Sequence, residues 1–166
     1  MNRPALKSDT QDSGTQDIVV EEVFPHAPEA IWKALTTSEL IGRWLHMTPV
    51  GFAPVKGTRF IYQTTPAGAW DGVIHCQVLE VKPNERLVYA WQGGHERNTG
   101  YGSPLDTVVT LTLARVEAGT RLRVVHSGFR LPKNDTAFRN MSGGWKKIFP
   151  GIGVIAGEQN SSKKPG

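Results

Sequence analysis

Thr120–Phe149, TRLRVVHSGFRLPKNDTAFRNMSGGWKKIF, changes its hydrophobic period part-way along. Leu122, Val124 and His126 alternate with Arg121, Arg123 and Val125, the period of two expected of a half-buried strand. From Phe138 the spacing becomes three and four, through Met141, Trp145 and Ile148 and on to Ile152 and Ile155. That is one face of a helix. Gly143, Gly144, Pro150, Gly151 and Gly153 interrupt it. An interior glycine costs about 1 kcal/mol and an interior proline about 3 kcal/mol relative to alanine. Such a helix needs a surface to lie on. Pro150 also removes the hydrogen bond to residue 146, so the helix is expected from Asn134 or Asp135 to Phe149, then to bend or break.

The surface is legible upstream. Asp17–Phe24 is rich in β-formers and reads as a first strand. Pro28 fits the first position of a helix over Pro28–Leu35. Thr36 and Glu39 have the spacing of a capping box, opening a second short helix over Ser38–Leu45. Strands then follow at Thr58–Thr65, Trp70–Val81, Arg86–Trp91, Asp106–Ala114 and Thr120–Phe129, mostly joined by short turns. Gly93–Pro104 reads as a glycine-rich loop too polar for a core. Short connections imply an antiparallel sheet with one apolar face. The fold class is therefore α+β, a curved sheet folded around the terminal helix.

With 166 residues the chain suits one domain, expected over residues 17–158. Residues 1–16 and 159–166 are polar and are expected to be disordered tails. No apolar run approaches the ~18 residues of a membrane span, and no signal-peptide core is visible at the start. The single Cys76 excludes a disulfide framework and a cysteine zinc site, and suits the cytoplasm. Nineteen Lys and Arg against 15 Asp and Glu give a formal charge of +4. These charges are dispersed, unlike the clustered basic patches with stacking aromatics that read nucleic acid.

The chain resembles the activator of heat-shock-protein-90 ATPase homologue family, within the START-like (SRPBCC) helix-grip superfamily. The resemblance spans about Asp17 to Ala156. It rests on PEAIWKALT at Pro28–Thr36, RWL at Arg43–Leu45 and LEVKPNERLVYAW at Leu79–Trp91. It continues through Val108–Leu113, HSGF at His126–Phe129 and Gly144-Trp145. It implies a seven-stranded sheet gripping the C-terminal helix, with a cavity between them. The superfamily spans lipid and hormone binders, cyclases and co-chaperone domains, so fold alone does not settle function. Eukaryotic activators carry a separate N-terminal domain not found in these residues, which counts against a full co-chaperone role.

The candidate ligand-binding residues are Trp44, Phe60, Tyr62, Tyr89, Trp91, His126, Trp145 and Phe149. Plain core packing would account for most of the aromatics. Buried tyrosine hydroxyls and indole N–H groups need partners, however, and an apolar cleft with a few polar groups is the usual small-molecule site. His126 shares a face with Leu122 and Val124 and points toward the cavity. It is either a neutral, hydrogen-bonded core histidine or a polar anchor or general base. Asp71 reads first as a solvated strand-end carboxylate. His75 and Cys76 are strand neighbours on opposite faces, so they make no nucleophile and base pair. The five histidines have no ligand spacing and no phosphate loop is present. The expectation is a binder of a small hydrophobic or amphipathic ligand, with no catalytic residue, metal or cofactor. The alternatives are a chaperone-binding domain, using the strand face at Arg121 and Arg123, and a cyclase- or hydrolase-like enzyme using His126.

Overall fold

A computed structural model of the chain describes residues 14–163. Of the tails expected at residues 1–16 and 159–166, residues 1–13 and 164–166 lie outside the described residues. The elements are β1 (Thr15–Phe24), α1 (Pro28–Thr36), α2 (Ser38–Leu45), β2 (Arg59–Gln63), β3 (Val73–Lys82), β4 (Arg86–Gly93), β5 (Leu105–Val116), β6 (Gly119–Arg130) and α3 (Asp135–Lys163).

All strand pairings are antiparallel, in the order β1-β6-β5-β4-β3-β2. β1 and β2 therefore form opposite edges, and α1 and α2 carry the chain from one edge to the other. Register shifts between Gln16 and Ile18 and between Val78 and Glu80 mark irregularities that help such a sheet curve. The period-two faces hold: Phe60, Tyr62, Leu87, Tyr89, Trp91, Val109, Leu111, Leu113, Leu122, Val124 and His126 are all buried. Arg121 and Arg123 face solvent.

The sheet has six strands among the described residues, where the resemblance implied seven. Next to β2 the chain makes only one bridge, with Val50 and Ile61 exchanging backbone hydrogen bonds of 2.9 and 3.1 Å. Pro49 has no N–H to donate, and Gly51 turns away at φ 87°. Extended pairing cannot run past either neighbour.

The capping box does not form. Thr36 ends α1, and its hydroxyl donates to the Trp32 carbonyl at 2.7 Å, a back-bond favoured inside a helix. Thr37 is the N-cap of α2 and makes no side-chain cap bond.

The largest difference lies in α3, which continues through Pro150 to Lys163 rather than ending at Phe149. Pro150 and Lys146 are both exposed, so the carbonyl that loses its intrahelical donor is on the wet side. The opposite side is buried through Trp145, Phe149, Ile152, Ile155 and Ala156. Packing against α1, α2 and β1 holds the second half of the helix. Tertiary burial outweighs the propensity of the glycines and the proline.

Candidate functional site

His126 sits on β6 under the middle of α3 with no exposed surface. Its Nδ1 lies 3.1 Å from Trp145 Nε1, and its Nε2 lies 2.8 Å from Thr107 Oγ1. An indole N–H can only donate, so Nδ1 accepts and carries no proton. The proton of the neutral ring is then on Nε2, which donates to Thr107 Oγ1. The Thr107 hydroxyl donates onward to the Trp91 carbonyl at 2.7 Å. One directed chain thus links α3, β6, β5 and β4. Burial depresses the His126 pKa to about 3, keeping the ring neutral. With both nitrogens committed and no titratable partner, His126 holds the helix to the sheet and has no free position for proton transfer.

The aromatic residues of the sheet form a packed floor beside this chain. Phe60 meets Tyr62 and Tyr89 edge-on at 5.7 and 5.4 Å between ring centroids, and Tyr62 lies 5.4 Å from Trp91. The Tyr62 and Tyr89 hydroxyls pair with each other. Desolvation raises both phenol pKa values, with the nearby Cys76 adding to the effect. Burial pushes the Cys76 thiol up to about 12, so it is an inert core group. Phe149 packs at a tilt against Phe24, 5.9 Å between ring centroids. Trp44 donates its indole N–H to the Ala34 carbonyl at 2.8 Å and borders a shallow groove that Arg43, Lys147 and Glu158 also line.

An apolar cleft opens above the floor in two adjoining compartments. The first encloses about 200 Å³. It lies between the β2–β3 connection (Thr64, Trp70), the β4–β5 loop (Gly94, Tyr101, Ser103) and the first turns of α3. The second, about 220 Å³, is bounded by Leu45 of α2 and by Gly144, Trp145 and Ile148 of α3. Met47, Trp91, Asn140 and Met141 border both. Gly144 widens the second compartment, because a Cβ placed there would meet nothing within 4 Å. No charged side chain lines either compartment.

Of the residues singled out from sequence, Trp91 and Trp145 line this cleft. Trp44 borders the groove on the outside of the helix. Phe60, Tyr62, Tyr89, His126 and Phe149 form floor and core and line neither compartment. Asp71 is exposed and accepts the Val73 N–H at 3.0 Å, closing a local turn.

Sequence reasoning missed the wall made by the β4–β5 loop. Asn98 organises it, with Oδ1 accepting the Ala69 N–H at 3.0 Å and Nδ2 donating to the Ala67 carbonyl at 2.7 Å. Tyr101 packs at a tilt against Trp70, 5.6 Å between ring centroids, and donates its hydroxyl to the Thr65 carbonyl at 2.9 Å. At the loop's far end, buried Asn134 donates to the Pro104 carbonyl at 2.7 Å and to Ser103 Oγ at 3.2 Å. Asn98 inside the glycine-rich loop was the available signal; Asn134 is too distant in sequence to have been read with it.

Among the described residues, no group of three or more His, Cys, Asp or Glu is placed to hold a metal, and no helix is long and apolar enough to cross a membrane.

A curved antiparallel sheet closing on a long C-terminal helix, with a cleft between them, is the helix-grip arrangement of START-like domains. The chain belongs to the Activator of Hsp90 ATPase homolog 1-like protein family, whose model matches residues 25–156. It is similar to the protein MLL2253 from Mesorhizobium loti, with 36% identity over 86% of this chain and 98% of that one, at a TM-score of 0.74. The fold is shared with the Bacillus halodurans protein BH1534, at 23% identity, 85% and 96% coverage and a TM-score of 0.65. CalU16 from Micromonospora echinospora shares it too, at 20% identity, 91% and 83% coverage and a TM-score of 0.65. None of the curated proteins matches the chain.

Proposed function

We propose that this protein binds a small hydrophobic or amphipathic molecule in the cleft between the β4–β5 loop, the sheet and α3. The observation that carries this reading is the cleft itself. Protein interiors are close-packed, and an uncharged apolar opening bordered by Trp91, Trp145, Met47 and Met141 is the kind of surface that encloses a ligand. Its position between sheet and helix agrees with the coarse ligand-binding role of the fold. Methionines supply polarisable walls that adapt to ligand shape. His126 belongs to the support of this site, because its nitrogens are already bonded. The test is a titration with neutral aromatic and aliphatic probes, followed by tryptophan fluorescence and by methyl resonances of Met47 and Met141. Saturable shifts at those methyls are expected. Their absence across a broad panel would overturn the reading.

Contact with a chaperone is the second reading, and the family match favours it. The basic strand face is a weaker candidate surface than its sequence suggests, because Arg121 is paired with Glu21 at 3.0 Å. A pull-down with a heat-shock-protein-90 homologue, with its ATPase rate, tests this reading. An unchanged rate and no complex at micromolar concentration would remove it.

A further inference from the structure

Trp91 borders both compartments of the cleft, is 2% exposed, and its indole Nε1 has no hydrogen-bond partner. Among the described residues it is the only buried side-chain nitrogen or oxygen left without one. The other buried indoles differ: Trp44 donates to Ala34 and Trp145 to His126. Neither nitrogen of the imidazole packed on Trp91 is open to accept its proton. His126, 5.3 Å away between centroids, uses Nδ1 for Trp145 and Nε2 for Thr107. A buried donor without an acceptor costs on the order of 1–3 kcal/mol, and nearly all native buried donors are satisfied.

We propose that the cleft selects small neutral molecules carrying a hydrogen-bond acceptor, such as a ketone, ester or ether oxygen, and that this acceptor takes the Trp91 Nε1–H. The proposal rests on the cleft being a ligand site and names the ligand class it takes. Neutrality follows from the lining. A carboxylate or ammonium would be buried among Met47, Ile74, Leu105 and Met141 with no opposite charge, which is strongly unfavourable. Size follows from the first compartment, whose volume of about 200 Å³ suits one aromatic ring and a few further atoms. The ring would lie among Trp70, Trp91 and Tyr101, and because Nε1 is itself closed off in this structure, neighbouring side chains must shift for the oxygen to reach it.

A matched pair of probes tests this. Acetophenone and α-methylstyrene have nearly the same shape, but only acetophenone has an acceptor oxygen. Affinities are measured for both probes with the wild-type protein and with Trp91→Phe, which keeps an apolar ring and removes the donor. The expected result is that Trp91→Phe weakens acetophenone about fivefold to tenfold more than α-methylstyrene, the loss of one hydrogen bond. In the wild-type protein, acetophenone should move the Trp91 indole proton resonance downfield and α-methylstyrene should not. This second readout stands even if Trp91→Phe does not fold. Equal weakening of both probes, with no selective indole shift, would overturn the donor role while leaving the cleft as a binding site. Failure of both probes and of the wider neutral panel would overturn the binding reading, and the proposal with it.

Discussion

Trp145 Nε1 donates to His126 Nδ1 across 3.1 Å, and this bond joins the middle of α3 to the sheet beneath it. The bond fixes the ring's tautomer, and through Thr107 it reaches the backbone of Trp91 at the floor of the cleft. Helix position and cleft shape are therefore set by one polar chain in an otherwise apolar layer.

That chain has a pH signature. His126 has an ordinary pKa of 6.5 and a folded pKa near 3 because burial disfavours the charged ring. Above about pH 6.5 the ring is neutral in both states, and its contribution does not change with pH. Below that, the unfolded chain binds a proton that the folded one does not, so stability falls as pH falls toward 3. The slope due to this group reaches ~1.4 kcal/mol per pH unit. His126→Phe should remove that component of the slope. It should also cost about 1–3 kcal/mol at neutral pH, because the Trp145 N–H is left unpaired. Urea unfolding at several pH values measures both, and an unaltered slope in the variant would contradict the assignment.

The glycines of α3 divide into two kinds, and alanine substitution should separate them. A Cβ at exposed Gly143 meets nothing within 4 Å. Gly143→Ala should therefore stabilise by about 1 kcal/mol through helix propensity. A Cβ at Gly153 would lie 2.4 Å from Phe24 Cδ1, in a ring already packed on Phe149. Gly153→Ala should destabilise by about 1–3 kcal/mol by overpacking. Thermal melts that moved both variants in the same direction would refute this division.

Those same glycines show where sequence reading stopped. Alternation in β4, β5 and β6 marked the buried face correctly, because a strand's period of two fixes which side chains share a side. Propensity around Pro150 argues for a bend or break after Phe149, yet the helix runs on through the proline. What kept the helix intact was tertiary: a buried stripe on one side and an exposed proline on the other. The aromatics were rightly placed over one interior, yet pattern alone could not say which were floor and which bordered space. Gly93–Pro104 reads as too polar for a core, yet its polar groups bond outward, Asn98 to the β2–β3 connection and Ser103 and Pro104 to Asn134. Its inward side then presents Tyr101 and backbone to the cleft.

Asn98→Ala tests the loop wall directly. It removes the acceptor for the Ala69 N–H and the donor to the Ala67 carbonyl, bonds that tie two connections together. A loss of about 1–3 kcal/mol is expected, along with faster hydrogen exchange confined to residues 64–72 and 94–104. Probe affinity should fall, since a mobile wall must be ordered on binding. Uniformly faster exchange across the sheet would show that Asn98 supports the whole fold rather than the wall.

Gly144→Leu offers the sharpest separation of binding from folding. Gly144 borders the second compartment and a Cβ there meets nothing within 4 Å, so a leucine starts unobstructed and extends toward the cleft. Leucine also has much the better helix propensity, so stability should hold or rise by up to ~1 kcal/mol. Binding should suffer, because the side chain occupies volume next to Met47, Trp91 and Met141, which both compartments share. A neutral probe that shifts the Met47 and Met141 methyls in the wild-type protein should bind at least about tenfold more weakly, the scale of a few lost buried methylene contacts. Calorimetric titration with a parallel melt gives both numbers on one sample. If the variant melts at or above the wild-type temperature and binds the probe equally well, the ligand does not sit in this cleft.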